Sequence, residues 1–295
     1  GDIIHFDYNG YAYSNIKVDG IYKYGIFNGI LGMNDANGIV NVKGLFSTKA
    51  KSPKFNLIAS IKNFNPYALK ITDKLNNAKF DVNISANFNG HDINDLKGTL
   101  DIENFSMQKA DVEYKMDAMH IIAGGTGKEH FINMNSDFAK MNIQVRYDYA
   151  TLTQSITNFI GSKLPTLPGL PRINNKHNNN FKIDATITRS DWLNKLFNIP
   201  IELNQPLSIA GEMNDSKKTL YIHSEAPDFS DKGNNYQDGM LSISTPNDTL
   251  KCSAKIIKIM GNGHKFDLNL NANAINNLLA TNIGWTNHLK HLYSG

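Results

Sequence analysis

The sequence predicts a mainly β, antiparallel fold. Three observations lead there: repeated alternation of apolar and polar residues with period two, Asn-Gly and Asp-Gly dipeptides at short intervals, and a composition ill suited to helices. The chain has 295 residues, 41% of them hydrophobic and 19% charged. That is enough apolar material for one large domain or two ordinary ones, and too much for a disordered segment. Forty asparagines stand in it, far above the usual share. Asn favours turns over helix interiors, so a helical bundle is not expected.

A strand with one sheltered face places every second side chain on that face. FDVNISANFNG shows this most clearly: Phe80, Val82, Ile84, Ala86 and Phe88 alternate with Asp81, Asn83, Ser85, Asn87 and Asn89. FKIDATIT alternates Phe181, Ile183, Ala185 and Ile187 with Lys182, Asp184, Thr186 and Thr188. FDLNLNANA alternates Phe266, Leu268, Leu270, Ala272 and Ala274 with Asp267 and asparagines. Shorter runs are FNLIASI from Phe55, LKGTLDIE from Leu96, with Leu100 and Ile102, and LSIST from Leu241, with Ile243.

Turns are expected at Asn9-Gly10, Asp19-Gly20, Asn28-Gly29, Asn37-Gly38, Asn89-Gly90 and Asp238-Gly239, because Asn-Gly and Asp-Gly supply the positive φ angles of tight hairpins. About five strands at ten-residue spacing in the first 60 residues then read as a meander. No strand alternates with a long helix, which argues against parallel α/β enzymes.

Three segments carry helical spacing. TLTQSITNFIGSKLP places Leu152, Ile156, Phe159, Ile160 and Leu164 on one face, with Thr151 and Gln154 spaced as a capping box. SDWLNKLFNIP predicts a short helix near 190–198, capped by Ser190 and stopped before Pro200. The tail from Ile275, with Leu278, Leu279, Ile283, Leu289 and Leu292, predicts a C-terminal helical segment. PTLPGLPRINNKHNNN, at 165–180, reads as a surface connection. It divides the chain into 1–175, with the helix near 151–164, and 176–295. A single continuous domain is the other possibility.

Motifs for chemistry fail one by one. AGGTGKEH at 123–130 lacks the spacing of a phosphate loop, since Ile122 and Glu129 stand where Gly and Ser/Thr belong. It reads as a glycine-rich turn, as does GNGH at 261–264. His288 and His291 share a possible helix face but lack a third ligand, so no metal is expected. Cys252 is the one cysteine, which excludes an intramolecular disulfide, and nothing around it marks a nucleophile. The net charge of +3 comes without a basic block, so no nucleic-acid partner is expected. No enzyme is expected and no cofactor. Tyr8, Tyr11, Tyr13, Tyr22 and Tyr24 come nearest to a glycan-binding aromatic cluster, and cross-strand packing explains their spacing equally well.

The segments at 10–46, 55–72, 80–107, 131–149 and 207–229 repeat a rhythm of strand, Gly, strand, small polar turn, strand. In this the chain resembles the TamB/AsmA-like group of Gram-negative envelope proteins, translocation and assembly modules placed with the bridge-like lipid-transfer proteins. The resemblance rests on coverage and rhythm. That group's inner-membrane anchor and C-terminal end have no counterpart in the sequence.

The resemblance implies an elongated, twisted, open U-shaped antiparallel sheet (a β-taco) with an apolar interior and a few short helices. It implies a non-catalytic groove that carries phospholipid acyl chains across the periplasm between inner and outer membranes. The lining would be Phe80, Val82, Ile84, Ala86, Phe88, Leu100, Ile102, Phe181, Ile183, Ile187, Leu241, Ile243, Phe266, Leu268 and Leu270. Implied partners are phospholipid, an outer-membrane barrel protein of the assembly-module type, and the inner membrane through an anchor in the full-length protein. The alternative is an assembly scaffold that binds outer-membrane clients by β-augmentation. The Leu152–Leu164 helix has two readings, as a cap on the groove or as a membrane contact. One Lys and no Trp make it a poor anchor, which favours the cap.

Overall fold

The computed structural model describes residues 1–47, 53–76, 78–90, 95–126, 129–146, 151–169, 179–191, 199–261 and 263–288. These residues form 18 strands and one α-helix. The fold is mainly β, an open antiparallel sheet that does not close into a barrel. The chain forms two compact units, 1–125 with 133–137, and 126–132 with 138–295.

The first unit is a meander of β1 (Asp2–Tyr8), β2 (Tyr11–Lys23), β3 (Ile26–Asp35), β4 (Gly38–Ser47), β5 (Lys54–Phe64), β6 (Ala78–Asn89), β7 (Lys97–Lys109) and nearly all of β8 (Val112–Thr126). Each strand pairs antiparallel with the next. β9 (Glu129–Ser136) contributes residues to both units.

Asn9-Gly10 makes the first hairpin, both residues having positive φ. Asn37-Gly38 falls at the β3–β4 turn and Asn89-Gly90 at the end of β6, as expected. Asp19-Gly20, Asn28-Gly29 and Asp238-Gly239 do not make hairpin turns; they lie inside β2, β3 and β15. Their glycines serve close packing. Gly20 pairs with Gly29, and Gly29 with Gly44. A Cβ on Gly29 would sit 2.3 Å from the Asp19 carbonyl oxygen and 2.9 Å from the Phe27 ring. Phe27 thus lies over two bare stretches of backbone.

The second unit holds β10 (Ala139–Arg146), α1 (Leu152–Lys163), β11 (Asn180–Ile187), β12 (Ile201–Leu203), β13 (Leu207–Asn214), β14 (Thr219–Asp231), β15 (Asn234–Ser244), β16 (Leu250–Ile259), β17 (Lys265–Ile275) and β18 (Leu278–Thr286). β10 pairs with β11, and β11 with β13. β12 and β13 both pair with β14, after which the meander runs in order to β18. Between β16 and β17 the Met260 N–H donates to the His264 carbonyl and the Gly263 N–H to the Met260 carbonyl, with Asn262 of GNGH outside the described residues. The AGGTGKEH segment carries β8 through Thr126 and resumes at β9, with residues 127–128 outside the described residues.

Two further expectations are corrected. The segment after Ile275 is not helical through Thr286: Asn276 and Asn277, both with positive φ, form a two-residue turn into strand β18. The apolar residues Leu279, Ile283 and Trp285 obey period two within it, a signal that helix-like intervals with Leu289 and Leu292 obscured. The α1 helix forms where expected, but without a capping box: the Thr151 side chain makes no cap hydrogen bond and instead accepts one from Asn179 Nδ2 at 2.8 Å. The two compact units divide within 125–138, and α1, which precedes the Pro/Asn connection, packs on strands that follow it. Residue 175 itself and the helix expected near 190–198 lie outside the described residues, apart from the latter's first positions.

Candidate functional site: two apolar faces

In the first unit the strand register sets apolar side chains side by side across the sheet. One row runs Val18, Leu31, Val42, Ala59, Ile84, Ile102, Met119 across seven strands. Its six steps span about 29 Å. A neighbouring row ends in Leu57, Ala86, Leu100 and Ile121. Another runs Tyr22, Phe27, Phe46, Phe55, Phe88. Within it the Phe27 and Phe46 rings stand 4.9 Å apart and the Phe55 and Phe88 rings 4.8 Å apart. Phe80 and Val82 extend the same face, Phe80 6.1 Å from the Phe105 ring.

All seven expected lining residues of this unit therefore share one face. Ala86 is buried; Phe80, Val82, Ile84, Phe88, Leu100 and Ile102 are only half-buried. Side chains sealed between two packed layers would be almost fully inaccessible. The opposite face is polar and carries Asn83, Ser85, Asn87, Lys43 and Asp101. A hollow of about 410 Å³ opens there, around Ile30, Lys43, Ile58, Asp101 and Glu103. It borders the Val42, Ala59 and Ile84 row from the polar side of the sheet.

The second unit has a comparable face, and α1 divides it. Phe159 of α1 forms a buried cluster with Phe181, Met213 and Leu220. Ile183, Ile222 and Ile243 pack against that cluster. Helix burial of an apolar stripe against the sheet is what holds α1, since its own propensity gains nothing from a cap. Polar contacts fix its position. Ser155 Oγ donates to Asp215 at 2.9 Å, and Asn179 Nδ2 donates to Ser155 Oγ at 2.8 Å. Lys163 pairs with Asp248, and the Lys163 carbonyl accepts a 2.9 Å bond from the Asn277 N–H in the β17–β18 turn. Hydrogen bonding to the Lys163 ammonium, with its charge, holds the Asp248 carboxyl below the ordinary carboxylate value.

Beyond the helix the face is open. A hollow of about 340 Å³ lies over Ala226, Phe229, Gly239, Leu241, Ala254, Ile256, Leu268 and Leu270. Leu241 is 37% exposed and Leu268 39% exposed. The register continues the face onto β18, pairing Leu268 with Trp285 and Leu270 with Ile283. Trp285 and Ile283 are exposed as well. Past the hollow, Phe229, Tyr236, Lys258 and Phe266 form the last row, with the Phe229 and Tyr236 rings stacked at 5.2 Å.

The expected lining of this unit therefore splits. Leu241, Leu268 and Leu270 line the open hollow, and Phe266 borders it. Phe181, Ile183 and Ile243 belong instead to the core closed by α1, which corrects their assignment as open lining. Ile187 is half-buried in β11, paired with Ala139 and Leu207. Sequence reasoning missed Ala226, Phe229 and Ile256, which lie on the strands flanking the irregularity at Asp238 of β15. It also missed the aromatic row at Phe27 and Phe46. The Phe pairs were visible in the sequence, but their register was not.

Among the described residues no cluster of His, Cys, Asp and Glu could hold a metal ion. Cys252 is half-buried within an apolar row, and His288 pairs with Asp267 at 2.9 Å. Tyr11 and Tyr13 are tied into a polar cluster with Asp35 and Leu69. No described helix is long and apolar enough to cross a membrane. Compared with known proteins, the chain matches no family model, no curated protein and no solved structure.

Proposed function

We propose that this chain is a non-catalytic lipid-carrying segment that shelters phospholipid acyl chains on its apolar faces, in the manner of the TamB/AsmA-like proteins it resembles in sequence rhythm. The observation that carries the reading is the exposure of the faces. Whole rows of apolar side chains line up in register, and they are half-buried or exposed rather than sealed. The hollow over Leu241, Leu268 and Leu270 adds a place where an alkyl chain fits.

The mechanism is physical. Each methylene moved out of water is worth about 0.8 kcal/mol, which makes a bare acyl chain in water prohibitive. Apolar contact is non-directional, so successive rows hold the chain with similar energy and no row becomes a deep trap. The headgroup stays on the wet side. This reading places the protein in the periplasm, with an inner-membrane anchor and an outer-membrane barrel protein as partners of the full-length molecule.

A second reading, an assembly scaffold for outer-membrane clients, is favoured by one observation. Among the described residues β1 pairs with β2 alone, and all seven of its residues are exposed, so it offers a free edge for strand addition. The deciding experiment is extraction of the protein, purified without detergent, with lipid identification by mass spectrometry. Phospholipid recovered in fixed proportion to protein supports the lipid reading. Protein that is consistently lipid-free, and takes up none from phospholipid vesicles, would overturn it.

A further inference from the structure

We infer that Lys258 is a headgroup anchor, which makes the hollow of the second unit selective for an anionic amphiphile: an alkyl tail ending in a carboxylate or phosphate. This deepens the lipid-carrying reading and rests on it. β16 pairs with β17 residue by residue from Leu250 to Ile259, so its side chains alternate without interruption. Ala254 and Ile256 line the hollow, and Lys258 is the next residue on that face. Its cross-strand neighbours are Tyr236 on one side and Phe266 on the other. The lysine is half-buried at the end of an apolar track, where an ammonium is the least expected side chain. Among the described residues no carboxylate forms an ion pair with it.

Its position gives the ligand a direction. A tail lying over Leu241, Leu268 and Leu270 has the α1-closed core at one end and the Lys258 row at the other. An anionic head at the Lys258 end receives a charge-assisted hydrogen bond in a partly water-excluded setting. The Lys stem contributes apolar contact to the same row. Lys255 also borders the hollow but lies on the opposite face of β16, so the charge on the apolar face itself is at the Lys258 end, where it supplies orientation, whereas the apolar rows supply affinity without orientation.

The test compares palmitate with hexadecanol, which differ in head charge and share the tail, by displacement of a neutral fluorescent alkyl probe from the purified chain. The expected result is tighter binding of palmitate in the unaltered protein. Lys258→Gln should weaken palmitate about tenfold, the effect of losing one charge-assisted hydrogen bond, and leave hexadecanol unchanged. Lys251→Gln is the control, an exposed lysine on the same strand and the opposite face. It should leave palmitate binding unchanged. Inorganic phosphate alone should not displace palmitate at equal concentration. Equal binding of palmitate and hexadecanol, an equal loss in Lys251→Gln, or full displacement by phosphate would each overturn the anchor while leaving the lipid-carrying reading intact. Failure of both alkyl ligands to bind would remove that reading, and the anchor with it.

Discussion

Lys163 in the last turn of α1 and Asp248, 85 residues further along the chain, form an ion pair in which only the lysine is sheltered: its side chain is 7% exposed, against 66% for Asp248. The asymmetry predicts unequal mutants. Asp248→Asn leaves a buried ammonium without its counter-charge, whereas Lys163→Met replaces that ammonium with an apolar chain of similar length. The thermal midpoint should therefore fall further in Asp248→Asn. The Asp248 carboxyl titrates below its ordinary value, because Lys163 bonds to the charged form. Its contribution is thus complete above the ordinary carboxylate range and is lost as pH falls through the lowered value. The stability gap between wild type and Asp248→Asn should close on acidification. A gap that widens in acid would refute the assignment.

Asp35 gives a second pH-dependent prediction, in the first unit. It is 7% exposed and accepts bonds from Tyr11 Oη, Asn37 N–H at 2.9 Å, Ser14 N–H at 2.9 Å and Ser14 Oγ at 2.8 Å. Burial pushes its carboxyl upward, but these donors outweigh burial and hold it below the ordinary value. Tyr11→Phe removes one donor and also the acceptor of the Asn37 side-chain amide. We expect a loss of about 1–2 kcal/mol in urea unfolding at neutral pH. The loss should shrink as pH falls through the lowered Asp35 value, because the carboxylate that Tyr11 stabilises is then protonated.

These contacts also mark where sequence reading stopped. The strands β6, β11 and β17 were legible because every second residue along Phe80–Phe88, Phe181–Ile187 and Phe266–Ala274 is apolar and the pattern is local. The apolar face of β6 was legible for the same reason, but whether that face is covered was not. What depends on register was not. Gly20 and Gly29 looked like turn residues, since Asp-Gly and Asn-Gly favour turns, but cross-strand closeness and the Phe27 ring claim them. Phe181 and Ile183 were placed correctly on the apolar side of β11. That they are covered, and Leu241 is not, follows from where α1 lands, which no local pattern encodes.

The glycine pair makes the register testable. Gly29→Ala would put a Cβ 2.5 Å from the Gly20 Cα and 2.3 Å from the Asp19 carbonyl, both backbone atoms. Neither can yield without opening the β2–β3 ladder. We expect about 2–3 kcal/mol of destabilisation, measured by chemical denaturation. Gly10→Ala should cost less: its positive φ, which Gly29 does not share, adds about 1 kcal/mol of strain, but nothing lies within 4 Å of its added Cβ. A Gly29→Ala variant as stable as wild type would contradict the paired-glycine geometry.

Leu241 and Ile243 sit two residues apart on the same face of β15, and they separate lining from core. Ile243 packs against the cluster that Phe159 of α1 closes, whereas Leu241 is 37% exposed in the hollow. An aspartate at 243 must enter the apolar cluster without a partner, so Ile243→Asp should destabilise by about 3 kcal/mol or more and release α1, visible as lost helical circular dichroism. An aspartate at 241 stays hydrated. Leu241→Asp should keep the unfolding midpoint within about 1 kcal/mol of wild type and still lose most alkyl-probe binding. The two readouts dissociate only if the hollow is a binding surface rather than unfilled core. Loss of stability in both variants, or full binding in Leu241→Asp, would place Leu241 with the core and take away the acyl-chain path.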